Sequence, residues 1–423
     1  MQITKQAVII AAGQSSRFWP LNQKRKALIN IAGRPLILHT IEALKRKGIK
    51  NIVIVQGKER DFEKEINKSN LKDVKINYAI QKKPIGTGNA LLQAEKFVKG
   101  SFLLLGPHKV DVGDYIDSLL KKARGNGEKI IFLGSKTKKP RDFGILDIKG
   151  GKAVKIIENP KKGREPSNIK TNEIYFIPSG FFSYLRKVSI TEDSLIEAFN
   201  LFIKDKGAEF IVAKKETISL KYPWDAISAM KIILGGKSFK KYTGSRVKIG
   251  KNVVLRGNIQ IGKNSIISDN TVIEGPCYIG DNCKVGYGNI LRGPVNLENN
   301  FLSGSFAEIK NSIIQKGTHI HSGYFGDLVI GENCRFGAGF ISANRRLDRG
   351  EIKSLIKGEK TGTGFTFFGG AIGNNSRFGA RSTLMPGIFI GSNCKIGPGS
   401  VILENIPDNS VFYTKFQKIV KSK

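Results

Sequence analysis

From Ile249 onward the chain returns to an aliphatic residue every six positions: Leu255, Ile261, Ile267, Ile273, Ile279, Val285, Leu291 and Leu297. A second run keeps the same step through Ile372, Phe378, Leu384, Ile390, Ile396 and Ile402. A period of six is neither the 3.6 of an amphipathic helix nor the 2 of a half-buried strand. It suits a short flat strand and a tight turn, one side of a triangular coil, with the aliphatic side chain pointing inward each time. Gly follows many of these positions (Gly250, Gly262, Gly280, Gly373, Gly391), and Asn comes two residues later (Asn252, Asn264, Asn282, Asn375, Asn393). Both residues tolerate turn backbone that bulkier side chains resist. Stacked coils then share one continuous apolar interior. The phase breaks at Ser303, is regained loosely at Ile309 and Ile330, and breaks again across residues 345–366. That last stretch is charged and Gly-rich, so it is expected to leave the coil as a loop on a binding face.

The first half has a different texture. Apolar runs at residues 7–12, 51–55, 101–105, 130–133 and 174–177 read as buried parallel strands, with helix-like stretches at 35–47, 89–98 and 115–123. Strand alternating with helix predicts βαβ units in a doubly wound sheet. A domain boundary is expected at Gly235-Gly236-Lys237, dividing the chain into 1–235 and 236–423, with a helix at 224–234 bridging the halves. The second half resembles the hexapeptide-repeat β-helices. The expected fold class is therefore a Rossmann-like α/β domain followed by a left-handed parallel β-helix.

Composition narrows the function classes. The 423 residues carry 70 Lys and Arg against 35 Asp and Glu, a formal charge of +35. The basic residues are spread along the chain, with no RNA-binding motif and no aromatic-interleaved basic stripe. The surface is read as suited to small anionic substrates rather than nucleic acid. The four cysteines show no Cys-x-x-Cys pairing, which argues against zinc and against a disulfide framework. No apolar run is long enough to span a membrane, and the start of the chain lacks the form of a secretory signal, so a cytoplasmic protein is expected.

The chemistry signal lies near the start. A buried strand ends in Ala11-Ala12-Gly13, a loop of small residues follows, and then come Arg17 and Lys26. Small residues at the end of a first strand let backbone N–H groups approach a phosphate or base, and the two cations would neutralise a triphosphate. The stretch Ala11-Ala12-Gly13-Gln14-Ser15-Ser16-Arg17, then Lys26, then Gly33-Arg34-Pro35-Leu36, resembles the signature of the nucleotide-sugar pyrophosphorylases. Gln81 with Gly86-Thr87-Gly88-Asn89-Ala90 is similar to the uracil-reading segment of the uridylyltransferases in that family. The resemblance implies sugar contacts at Gly144 and Glu158 and a magnesium-holding carboxylate at Asp225. Two departures stand out. The strand ending at Leu105 should run into Gly-Asp, the metal carboxylate, but reads Gly106-Pro107-His108. The expected Asn-x-Gly reads Thr171-Asn172-Glu173.

In the β-helix, Glu308-Ile309-Lys310, then His321-Ser322-Gly323-Tyr324-Phe325-Gly326-Asp327, then Gly337-Ala338-Gly339 and Asn344 resemble the acetyltransferase half of bifunctional enzymes making UDP-N-acetylglucosamine. The resemblance implies Arg292 and Lys310 on a sugar phosphate, Tyr324 and Asn344 beside it, and His321 as general base. An imidazole suits proton transfer near neutral pH. Together these imply UTP, sugar-1-phosphates and acetyl-CoA as substrates, Mg²⁺ as cofactor and a homotrimer. Two alternatives stay open. One is a related sugar-1-phosphate nucleotidylyltransferase whose β-helix serves assembly; the other is a degenerate nucleotide-sensing or scaffolding paralogue, marked by Pro107.

Overall fold

A computed structural model describes residues 4–69, 71–215, 217–415 and 420. The chain falls into two compact units, Met1–Gln14 with Pro35–Ser219, and Ser15–Arg34 with Leu220–Lys423. This partition differs from a single cut near Gly235 in two segments, residues 15–34 and 220–235, both of which pack with the second unit.

In the first unit, strand and helix alternate through β1 (Gln6–Ile10), α1 (Leu36–Arg46), β2 (Asn51–Gly57), α2 (Asp61–Asn67), β3 (Lys75–Gln81), α3 (Gly86–Ala94), β4 (Phe102–Leu105), α4 (Gly113–Asn126) and β5 (Ile130–Lys136). β6 (Gly144–Lys149), β7 (Lys152–Glu158) and β8 (Ile169–Ile177) follow, then α5 (Phe181–Leu185), α6 (Ser194–Lys206) and β9 (Ala208–Val212). The strands form one sheet in the order β3-β2-β1-β4-β8-β5-β9-β7-β6. Its central strands are buried on both faces, with Val8, Ile9, Leu103 and Phe132 out of solvent. On one face Phe132, Tyr175 and Phe199 pack edge to face at ring distances of 5.2–5.6 Å.

The expectation of an all-parallel sheet fails at β8. It runs antiparallel to β4, with Ile174 opposite Leu105 and Ile177 opposite Phe102, and antiparallel to β5. A parallel neighbour needs a long crossover, usually a helix; β6, β7 and β8 follow one another without one, so the chain is free to reverse. A fully buried apolar run reads the same in either direction.

The second unit is a solenoid of three parallel sheets with eight, nine and eight strands. Each coil pairs with the next in register, as in Val254, Val272 and Ile290 or Ile261, Ile279 and Leu297. The inward aliphatic positions form one column, Ile267, Ile273, Ile279, Val285 and Leu291 being fully buried. The corner asparagines adopt the left-handed backbone, Asn252, Asn264, Asn282, Asn375 and Asn393 having φ of 55–60°. Their side chains bond from coil to coil, Asn264 to Asn282 at 3.0 Å and Asn375 to Asn393 at 3.0 Å.

Two expectations about the repeat need correcting, and a third gains detail. Ile249 does not point into a core but is 46% exposed, because it lies near the solenoid's first end, where no earlier coil covers it. The break at Ser303 is no interruption. Successive partners stand 18 apart at Ile290 and Glu308, 17 at Leu297 and Ile314, and 16 at Glu308 and Tyr324, so the coil shortens by two residues in two steps while stacking continues. The stretch at 345–366 contains an ordered antiparallel hairpin, Lys353–Ile356 against Glu359–Gly362. α7 (Asp225–Gly235) belongs to the second unit. Trp224 at its start is buried among Phe368 and Phe389 at ring distances of 5.9 and 6.2 Å.

All four cysteines are buried and free. Loss of hydration pushes the thiols of Cys277, Cys283 and Cys334 up to about 12, as befits core residues rather than nucleophiles. Among the described residues, no helix is long and apolar enough to cross a membrane.

Candidate active sites

The nucleotide signature is divided between the units. In the first, β1 delivers Ala11 and Ala12 buried at its end, with the Ala11 N–H donating to the Val55 carbonyl at 2.8 Å. A Cβ at Gly13 would meet nothing within 4 Å, so the backbone there is open on that side. Gln81 ends β3, buried, and its amide nitrogen donates to the Gly86 carbonyl and to Asn89 Oδ1, both at 3.0 Å. Those two bonds engage the amide nitrogen and fix the orientation of the side chain. Gly86 opens α3 where the chain packs closely. Its φ is 71°, and a Cβ would stand 2.5 Å from the Thr191 carbonyl oxygen. Thr87 beside it is exposed.

Gly144 and Glu158 are direct cross-strand partners on β6 and β7. A Cβ at Gly144 would lie 2.6 Å from a Glu158 carboxylate oxygen and 3.3 Å from Thr171 Oγ1, so the glycine makes room for this acidic group.

The end of β4 is rebuilt. His108, Lys109 and Asp111 are all buried there. Lys109 Nζ donates to the Ile218 carbonyl at 2.7 Å, and Asp111 Oδ2 accepts the Ile218 N–H at 3.2 Å. Burial raises the Asp111 carboxyl above its ordinary range, with Lys109 and the Ile218 N–H opposing. Glu173, held at φ 51° in the bulge of β8, reaches across to His108 Nε2 at 3.7 Å and Lys109 Nζ at 3.8 Å. The residues at this strand end do not fit a bound magnesium ion. The Glu173 carboxylate is already faced by a lysine and a histidine, and buried Asp111 commits Oδ2 to the backbone, which leaves only its Oδ1 without a hydrogen bond.

In the second unit, residues 30–33 are tied to the solenoid through polar side chains that the six-residue pattern did not flag. Gln315 exchanges two bonds with the Asn30 backbone at 2.8 and 3.2 Å, Asn296 accepts the Ala32 N–H at 2.7 Å, and Glu298 accepts the Gly33 N–H at 3.2 Å. Burial pushes the Glu298 carboxyl up to about 7. Within the same segment Ser15 Oγ accepts the Lys26 N–H at 3.1 Å, and Arg17 is exposed. Asp225, expected at a metal, uses Oδ2 to accept the Lys221 and Tyr222 N–H groups at 2.6 and 2.8 Å and so shapes the turn into α7.

The acetyl-transfer candidates gather on one solenoid face because the coils repeat. Arg292 sits over Lys310, and Glu308 over Tyr324. Arg292 bonds Glu308. Asn344 donates to the Tyr324 hydroxyl at 3.0 Å and to Asp327 at 2.5 Å, and Asn311 donates to the other Asp327 oxygen at 2.5 Å. Lys310 lies 3.9 Å from Asp327 and 4.6 Å from the Phe367 ring centroid. Burial raises the Tyr324 phenol. Gly323, at φ 130° with only 2.0 Å between a Cβ and the Phe340 oxygen, admits no side chain. His321 is exposed at the turn before Tyr324, with no hydrogen bond to this cluster among the described residues.

Sequence reasoning missed Asp327 as the hub of these bonds. It also missed Arg345 and Phe367, which meet at 4.6 Å. Arg345 follows Asn344 directly and was open to inspection; Phe367 arrives after the inserted hairpin, where the period gives no guide.

A doubly wound transferase domain and a hexapeptide solenoid on one chain define a class of two-part transferases. Residues 6–222 match the nucleotidyl transferase family, and residues 241–275 and 371–404 match the bacterial transferase hexapeptide repeats. The chain is 36% identical to the bifunctional protein GlmU of Methanococcus maripaludis strain C7 over 423 residues, 99% of each chain. It is 34% identical over 422 residues to the bifunctional sugar-1-phosphate nucleotidylyltransferase/acetyltransferase of Sulfurisphaera tokodaii, covering 98% of this chain and 100% of that one. A third relative, the GlmU of Methanocaldococcus jannaschii, is 33% identical over 421 residues, 98% of this chain and 99% of the other. The chain belongs to this family of bifunctional GlmU-type transferases, and its solenoid is a left-handed parallel β-helix.

Proposed function

We propose that the protein acetylates glucosamine-1-phosphate with acetyl-CoA and then transfers a uridylyl group from UTP to N-acetylglucosamine-1-phosphate. The observation that supports this most is the set Arg292, Lys310, Tyr324, Asp327 and Asn344 on one solenoid face, two cations for a phosphate beside an ordered polar network. In the acetyl step the sugar amine attacks the thioester carbonyl carbon, His321 accepts the amine proton, the C–S bond breaks, and the imidazolium returns that proton to the sulfur so that CoA leaves as the thiol. In the uridylyl step a sugar-phosphate oxygen attacks the α-phosphorus and pyrophosphate leaves. Arg17 and Lys26 oppose the charge, Ala11 to Gly13 and Thr87 line the nucleotide, and Gln81 offers its carbonyl to the uracil N–H. Gly144 and Glu158 face the sugar. Magnesium travels with the triphosphate as part of the substrate. The assembly is read as a homotrimer in the cytoplasm; Val254 and Ile290, outward in one register row and 37% and 42% exposed, suit burial against neighbouring copies.

The full-length protein should release CoA thiol from acetyl-CoA and glucosamine-1-phosphate, and pyrophosphate from UTP and N-acetylglucosamine-1-phosphate. His321→Ala should lower thiol release by about a hundredfold or more while leaving pyrophosphate release within about twofold. Pyrophosphate release without any thiol release would leave the β-helix as an assembly device. Neither product would return the chain to a sensing or scaffolding role.

A further inference from the structure

The second unit holds a cavity of about 320 Å³, walled on one side by Ser16, Arg17, Trp19 and Asn22 and on the other by residues 355–357 of the inserted hairpin. Its volume is at the small end of the range for ligand sites. Both walls rest on the last coils of the solenoid. Trp19 directs its indole N–H at the Asp408 carboxylate, 3.3 Å away, and packs on Phe389 at 6.1 Å between ring centroids. On the hairpin side Ile352 and Ser354 are each 1% exposed, and Asn405 donates to the Leu355 carbonyl at 3.0 Å. The cavity is therefore framed by anchored backbone on both sides.

The hairpin closes through a two-residue turn between Ile356 and Glu359, with Lys357 at φ 49° and Gly358 at φ 86°. Positive φ at both central residues is the type I′ turn, where Asn or Asp is favoured first. A lysine there goes against local preference and places its ammonium group at the cavity. Arg17 and Lys357 are both exposed, neither makes an ion pair among the described residues, and no acidic side chain lines the space. Two uncompensated cations around one concavity concentrate anions. The indole of Trp19 and the side chains of Leu355 and Ile356 supply the apolar part of its walls.

We propose that this cavity takes the polyphosphate end of a nucleoside triphosphate, and that Lys357 is a binding residue for the nucleotide step contributed by the β-helix insertion. This rests on the reading of Arg17 given above. Nothing in the nucleotidyl-transfer signature includes the hairpin.

The test is calorimetry on the full-length protein with UTP and, separately, pyrophosphate, no sugar phosphate being present. Lys357→Asn removes the charge while keeping a residue that accepts the turn conformation. It should weaken both ligands about tenfold, the scale of one lost charge-assisted bond, with an unchanged melting temperature. Lys357→Arg should stay close to the parent. Equal affinities in parent and Lys357→Asn would overturn the proposal while leaving the nucleotide reading standing. A variant that loses acetyl-CoA affinity but keeps UTP affinity would assign the cavity to the phosphates of CoA and overturn it equally. A parent protein that binds no UTP would remove the nucleotide reading itself, and the proposal with it.

Discussion

On the solenoid, Arg292, Lys310 and Tyr324 come together because each coil repeats the backbone of the one before. At the end of β4, His108, Lys109 and Glu173 come from a loop and a bulged antiparallel strand with no repeat behind them. The first arrangement keeps its members in register even where the coil shortens by two residues. The second is free to drift, and here a place where the family resemblance implies a metal carboxylate holds a histidine, a lysine and a glutamate from elsewhere. A repeating scaffold preserves a site's geometry; a loop preserves only the end of the strand that carries it.

The sharpest way to break this contrast is Gly326→Ala. A Cβ there would stand 2.6 Å from the Tyr324 hydroxyl and 2.7 Å from Asn344 Nδ2, pushing apart the pair that the solenoid holds together. Displacement of such groups by about an ångström costs on the order of a hundredfold in rate. Acetyl transfer should fall by that amount with UTP affinity unchanged. Unaltered acetyl transfer would mean that the register does not set the site.

A second, intermediate effect concerns the tie between residues 30–33 and the solenoid. The Glu298 carboxyl sits at about 7, against an ordinary 4.5, because burial disfavours its charge. A raised carboxyl contributes stability that is complete below pH 4.5 and is lost as pH rises through 7. The loss is at most about 3 kcal/mol. Denaturant unfolding should therefore show stability falling between those limits, and Glu298→Gln should flatten the profile and raise stability at pH 8. A variant with the same slope as the parent would place the titration elsewhere.

The smallest effect is expected where the metal carboxylate was anticipated. Pro107→Asp should change uridylyl transfer by less than about threefold, since Lys109 and Glu173 already occupy the neighbourhood with opposite charges. A gain of tenfold or more would show a magnesium site lacking only its carboxylate, and the two regions would then be built alike.

Much of the molecule was legible in the chain alone. Six-residue spacing, with Gly and Asn at the corners, determined the solenoid, because only residues tolerant of positive φ turn that tightly and only inward aliphatics stack. The strand–helix alternation determined a doubly wound domain, and the short motifs determined which side chains to watch. Tertiary structure alone decided the rest. The direction of β8 depends on how its neighbours are connected, which a buried apolar run does not encode. Asn296, Glu298 and Gln315 were decided there too, since a polar residue beside a six-residue repeat gains meaning only when another segment's backbone lies against it. Glu173 and Lys109 stand 64 residues apart in sequence and meet through a bulge. Local sequence carries local conformational preference; the pairing of distant groups is set by packing, and packing is a property of the folded chain.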